Sequence, residues 1–305
     1  MSVMGFGVEL RWSVIANAAV SASMLLIMAM SSSAKAQTGA IAQPDVASII
    51  AKSVEANDRD WDAEPQYDYT ERDRDAHGPG TKTYAVTMVL GSPYERLVAI
   101  NGKELSSAQK KEEQKKYDQM LSARKSESPE EKAKRVSSYE AGRRRDHEML
   151  TQLTKAFDFT LEGEQTLAGR PVYVLNATPR AGYQPPNRDC EVLPGMQGKL
   201  WIDEASFQWV KVEAHVMRPV SIEGFLAQVE PGTKFELEKT PVNKDIWLPK
   251  HYAMRASAKV LFIVPHHSHE DETYFNYHQS QSSSNTSQLR SQSQAQYANS
   301  RPANP

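Results

Sequence analysis

Apolar and polar residues alternate along most of this chain, and where alternation stops the apolar ones recur at helical spacing. Val210, Val212, Ala214 and Val216 alternate with Lys211, Glu213 and His215, the period-2 pattern of a strand wet on one side. With residues 199–203 and the polar turn at 204–206 this run predicts an antiparallel pair, in which Trp201 and Trp209 add bulk that pleated sheets accommodate. Residues 251–264 repeat the pattern: Tyr252, Met254, Ala256, Ala258, Val260 and Phe262 share one face, and His251, Arg255, Ser257 and Lys259 the other. Further strands are predicted at 66–74, 82–90, 94–100, 160–164, 171–178, 234–239 and 272–277, bounded by Gly, Pro and Asn turns. The first of these is polar on both faces, which predicts an edge strand blunted by charge.

Helical spacing appears in three places. Val46, Ile49, Ile50 and Val54 mark a helix over 45–57, with Asp45 in its first turn. Ser106-Ser107-Ala108-Gln109 reads as a capping box, and Ser128-Pro129-Glu130-Glu131 adds proline at the first helical position. The helix after Ser128 should run to about Phe157. Between Ser106 and Ala156 there are thirteen Lys or Arg against nine Asp or Glu, so this is a solvated, basic insertion. Met149, Leu150, Leu153 and Phe157 form its one apolar stripe, and this end should pack on the sheet. Short connections favour antiparallel pairing, because parallel pairs need crossovers of roughly a dozen residues. The expected class is mainly β (α+β).

Composition then fixes compartment more than chemistry. Residues 12–30 are largely apolar and are followed by Ala34-Lys35-Ala36, an export signal with a cleavage site, so 1–36 is expected to be removed in transit to the periplasm. An uncleaved inner-membrane anchor is the alternative. The net charge is −2, too close to neutral to imply nucleic acid. Cys190 is the single cysteine; it permits no internal disulfide and supplies no lipidation site after the apolar segment. Residues 279–305, rich in Ser, Gln and Asn, are expected to be disordered, which leaves one domain at 37–278 with the insertion at about 106–157.

Motifs for catalysis are missing. His266-His267-Ser268-His269 is expected to be a polar turn, since adjacent histidines on an extended chain diverge and no closed metal site follows from the spacing. Asp58, Asp60 and Asp62 imitate a calcium loop, but Ala63 and Tyr69 stand where glycine and glutamate are required. Arg143-Arg144-Arg145 reads as a solvated helix face, and Asp203-Glu204 as turn residues. No metal, cofactor or enzymatic activity is expected. The apolar sheet face is larger than these polar helices can cover, which favours a greasy ligand.

The stretch Gly198–Asp203, with Lys211–Glu213 and Trp247–Lys250, resembles the outer-membrane lipoprotein-sorting (LolA-like) group, in a divergent form. The resemblance implies a strongly curved antiparallel half-barrel with helices over its concave face. It also implies carriage of lipid or lipoprotein acyl chains, with an envelope sensor or docking module for a membrane protein as the alternative. On that reading Val210, Val212, Val216, Tyr252, Met254, Val260 and Phe262 line the apolar face, and Met149, Leu150, Leu153 and Phe157 belong to a helical lid. No arginine of the carriers maps onto this chain.

Overall fold

The computed structural model describes residues 45–74, 80–222, 227–260 and 264–280; the expected signal, its cleavage site and residues 281–305 of the Ser/Gln tail lie outside them. Gln279 and Ser280, expected to be disordered, are held in place, Gln279 opposite Tyr67 and Ser280 buried with its N–H donating to the Gln66 carbonyl. Among the described residues, three α-helices and thirteen strands follow in chain order. They are α1 (Val46–Ala63), β1 (Tyr67–Arg74), β2 (Thr81–Val89), β3 (Ser92–Ile100), β4 (Lys103–Glu104), α2 (Ser107–Ser126), α3 (Pro129–Ala156) and β5 (Phe157–Leu167). After these come β6 (Arg170–Pro179), β7 (Met196–Asp203), β8 (Trp209–Val216), β9 (Val220–Ile222), β10 (Ala227–Val229), β11 (Lys234–Pro241), β12 (Trp247–Val260) and β13 (Val264–Gln279). The strands form one antiparallel sheet in the order β4-β3-β2-β1-β13-β12-β11-β8-β7-β6-β5, with β10 and β9 added beside β12. Its two ends do not meet, so the fold is an open, curved half-barrel with α1 and α3 against it.

Both predicted capping boxes are present. Ser106 N–H donates to Gln109 Oε1 at 2.9 Å and Ser128 N–H to Glu131 Oε2 at 2.8 Å, each serine Oγ accepting from the partner's backbone in return. Several strands extend beyond the expected bounds, and two expectations fail outright. The run read as 251–264 folds back on itself, Val260 pairing with Val264, and the histidines read as a turn lie inside β13 opposite β12. Strand β1 is not an edge: it pairs with β2 on one side and β13 on the other. Its polar faces have a different cause, given below.

Three apolar clusters hold the domain. Ile49 of α1 packs on Leu175, Leu200, Ile202, Trp209 and Val212. Beside it, Ala156 and Phe157 meet Leu193, Met196 and Val216. Val172, Val174, Val210 and Trp247 form the third cluster, on the opposite face of the sheet, since Val172 and Val174 alternate with Tyr173 and Leu175. Val210 therefore does not share a face with Val212, contrary to the sequence reading. Trp201 pairs with Lys211 but Ile202 pairs with Trp209, so Val210 is the extra residue of a β-bulge. That insertion flips the alternation.

Candidate functional site

The centre of the helix-covered face carries an apolar floor that is only partly buried, where Phe235 and Leu237 pack against the edge of the first cluster. Phe235 and Leu237 of β11 lie opposite Met254 and Tyr252 of β12. The rings of Phe235 and Tyr252 meet edge to face at 5.5 Å, and the Tyr252 hydroxyl donates to Met254 Sδ at 3.7 Å. All four, with Ala256, are only half-buried, whereas Val212 on the neighbouring β8 is buried.

Of the residues expected to bind ligand, Tyr252 and Met254 lie on this floor. Val212 and Val216 are closed into the core. The side chains of Val260 and Phe262 lie outside what the structure describes. The stripe expected to hold the lid does touch the sheet: Leu150 and Leu153 pack on the first cluster, Met149 and Leu153 on the second. Phe157 is buried as the first residue of β5.

Toward β1 the same face turns acidic and aromatic. Tyr252 pairs with Glu272 and Met254 with Glu270 on β13. Across the next ladder Glu272 pairs with Asp73 and Tyr274 with Glu71; Glu71 in turn pairs with Tyr84 on β2. Tyr69 completes the bank, its ring 5.8 Å from Tyr274 and 5.4 Å from Tyr277. Burial, reinforced by Glu272, Glu95 and Asp73, pushes the Glu71 carboxyl up to about 8. Burial raises Glu270 as well, against a Tyr252 hydrogen bond that lowers it. This is why β1 is polar yet internal. The sequence signal was the alternation of Tyr67, Tyr69, Glu71 and Asp73, which sequence reading assigned to an edge.

The helical insertion is tied down at more points than its apolar stripe. Arg124 of α2 donates to the carbonyls of Val89, Ser92 and Pro93 at 2.7–3.0 Å. Arg135 of α3 bridges Glu127 and donates to Ser92 Oγ. Arg143 is not the solvated residue expected: it donates to the Trp61 carbonyl, stacks on the Trp61 ring at 4.7 Å and sits 3.5 Å from Glu64. His147, one turn on, stacks on the same indole at 4.5 Å. These contacts fix α3 to α1.

A separate cleft of about 440 Å³ lies by the β7–β8 and β11–β12 turns and is lined by Arg59, Arg170, Asp203, Lys244 and Trp247, among others. Asp203 is spent on its own turn and on Arg170: Oδ1 accepts from the backbone of Ala205 and Ser206 and from Ser206 Oγ, and Oδ2 from Arg170 at 3.4 Å. It forms no acid–base pair with Glu204. Among the described residues, no group of three or more His, Cys, Asp or Glu side chains is placed to hold a metal ion, and no helix is long and apolar enough to cross a membrane.

No family model matches this sequence, and no curated protein matches it. Solved structures do. A DUF1329 family protein from Desulfovibrio piger aligns over 77% of this chain and 92% of its own at 8% identity, with a TM-score of 0.28. A LolA superfamily protein from Nitrosomonas europaea aligns over 76% and 91% at 11% identity, with a TM-score of 0.27. An outer membrane lipoprotein-sorting protein domain from Vibrio parahaemolyticus aligns over 76% and 93% at 11% identity, with a TM-score of 0.26.

Proposed function

We propose that this chain is a non-catalytic periplasmic carrier that binds lipid, or the acyl chain of a lipoprotein, on the floor formed by β11 and β12. The supporting observation is that floor. Phe235, Leu237, Tyr252, Met254 and Ala256 sit on the helix side of strands in the middle of a broad sheet, yet none of them is fully buried. Such positions are ordinarily the most buried in a domain. An acyl chain laid on them gains roughly 0.8 kcal/mol for each methylene it buries. Helix α3 then serves as the cover, held by Met149, Leu150 and Leu153. The tyrosines of the neighbouring bank suit the boundary between an apolar tail and a polar end, because each has an apolar ring and a polar tip.

Native mass spectrometry of the mature protein, purified without detergent, tests this reading. The wild type should carry lipid-sized adducts. Met254→Asp places a second carboxylate opposite Glu270 and should lower their occupancy by about tenfold, because a charge next to an acyl chain is left without a partner. The variant should still fold, since Met254 is not part of the buried core clusters. A wild type free of adducts that instead copurifies with a membrane protein would favour the docking module.

A further inference from the structure

Among the described residues, the ladder between β1 and β13 is the only strand pairing that joins the first four strands to the other nine. That join carries like charges face to face. Asp73 stands directly opposite Glu272, and Glu71 follows two residues along β1 on the same face. Like charges directly opposite one another destabilise an antiparallel pair. We propose that this seam is a pH-sensitive joint: protonated Glu71 lets β1 and β13 close, and ionised Glu71 loosens the ladder. The inference does not depend on what the apolar floor binds.

The groups facing Glu71 can be named from each element. Tyr69 and Asp73 are on its own strand, and Glu272, Tyr274 and Tyr277 lie on β13. Tyr84 is on β2 and Glu95 on β3. Lys82 stands opposite Asp73 on β2 and is the nearest cation in the register. Glu64 lies between α1 and β1, where Arg143 of α3 reaches it. The Tyr274 hydroxyl donates to Glu272 and keeps that carboxylate in place. No arginine or lysine is directly paired with Glu71 in either ladder.

The sign follows from proton binding. Folded, Glu71 keeps its proton to about pH 8, whereas its ordinary value is 4.5. Between those values the folded chain binds more protons than the unfolded chain, so stability falls as pH rises. The contribution is complete below pH 4.5 and is lost as pH passes through about 8. Raised Glu270 acts in the same direction. Urea unfolding of the full mature chain from pH 5 to pH 9 tests the proposal. The wild-type midpoint should drop across that range. Glu71→Gln should flatten the drop and be more resistant than wild type at pH 9. Glu272→Gln, which removes one of the facing charges, should shrink the drop and serves as the second reading if Glu71→Gln folds poorly. Glu213→Gln, on the opposite face, should follow wild type. A wild-type midpoint that holds or rises toward pH 9, or drops equally in both seam variants, overturns the proposal.

Discussion

Replacing Asp60 with alanine should lower the unfolding free energy by about 3–5 kcal/mol, the range for removing one partner of a buried ion pair. Asp60 and Lys239 are paired with side chains only 4% and 7% exposed. The same carboxylate accepts from Gln208 Nε2 at 3.0 Å and from the Trp247 backbone at 2.9 Å, while Asn57 Oδ1 takes a further Lys239 hydrogen bond at 2.9 Å. One helical side chain thus fastens α1 to β11 and to the start of β12. Burial pushes the Lys239 ammonium below its ordinary value, and Asp60 opposes that. Without Asp60 the ammonium must stay buried without its counter-ion or lose its proton. Adding Lys239→Met to Asp60→Ala should therefore recover more than half of the loss. Chemical denaturation of the two variants decides it. A single-variant loss under about 1 kcal/mol, the size expected of an exposed pair, would contradict this account.

Gly198→Val should cost about 3 kcal/mol, the upper end for forcing extra atoms into a packed site. A Cβ at Gly198 would fall 2.2 Å from the Glu213 carbonyl oxygen and 3.1 Å from Ala214 Cα. Both are backbone atoms of the paired strand, so no side-chain rotation relieves the clash. Alanine carries the same Cβ and should cost nearly as much. The β7–β8 ladder would have to separate, and the loss should appear as a lower urea midpoint together with faster amide exchange in both strands. Wild-type stability in Gly198→Ala would mean that the two strands are further apart than described.

Much of this fold is legible in the sequence because local rules decide it. The boxes at Ser106 and Ser128 place two helix starts at the observed residues, and alternation assigns the faces of Met254 and Arg255. The failures are equally physical. Alternation alone does not reveal a bulge, so Val210 was placed on the wrong face. Residues polar on both faces usually mark an edge, and β1 breaks that rule because an interior bank of carboxylates and tyrosines lines one of its sides. Long-range partners were invisible as well. Asp60 looked like a fragment of a calcium loop and Arg143 like part of a solvated face, and each proves to be a tether between elements far apart in the chain. The partly buried floor is legible only in part, since which apolar residues stay uncovered depends on where α1 and α3 lie.

Photolabelling tests the central claim most directly. A fatty acid carrying a photoreactive group near the end of its chain is bound to the mature protein, irradiated and mapped by peptide sequencing. The account predicts cross-links concentrated on β11 and β12, at Phe235, Leu237, Tyr252 and Met254, and their loss when unlabelled fatty acid is added in excess. Labels that fall instead on exposed apolar residues such as Met217, 51% exposed, or that resist competition, would contradict it.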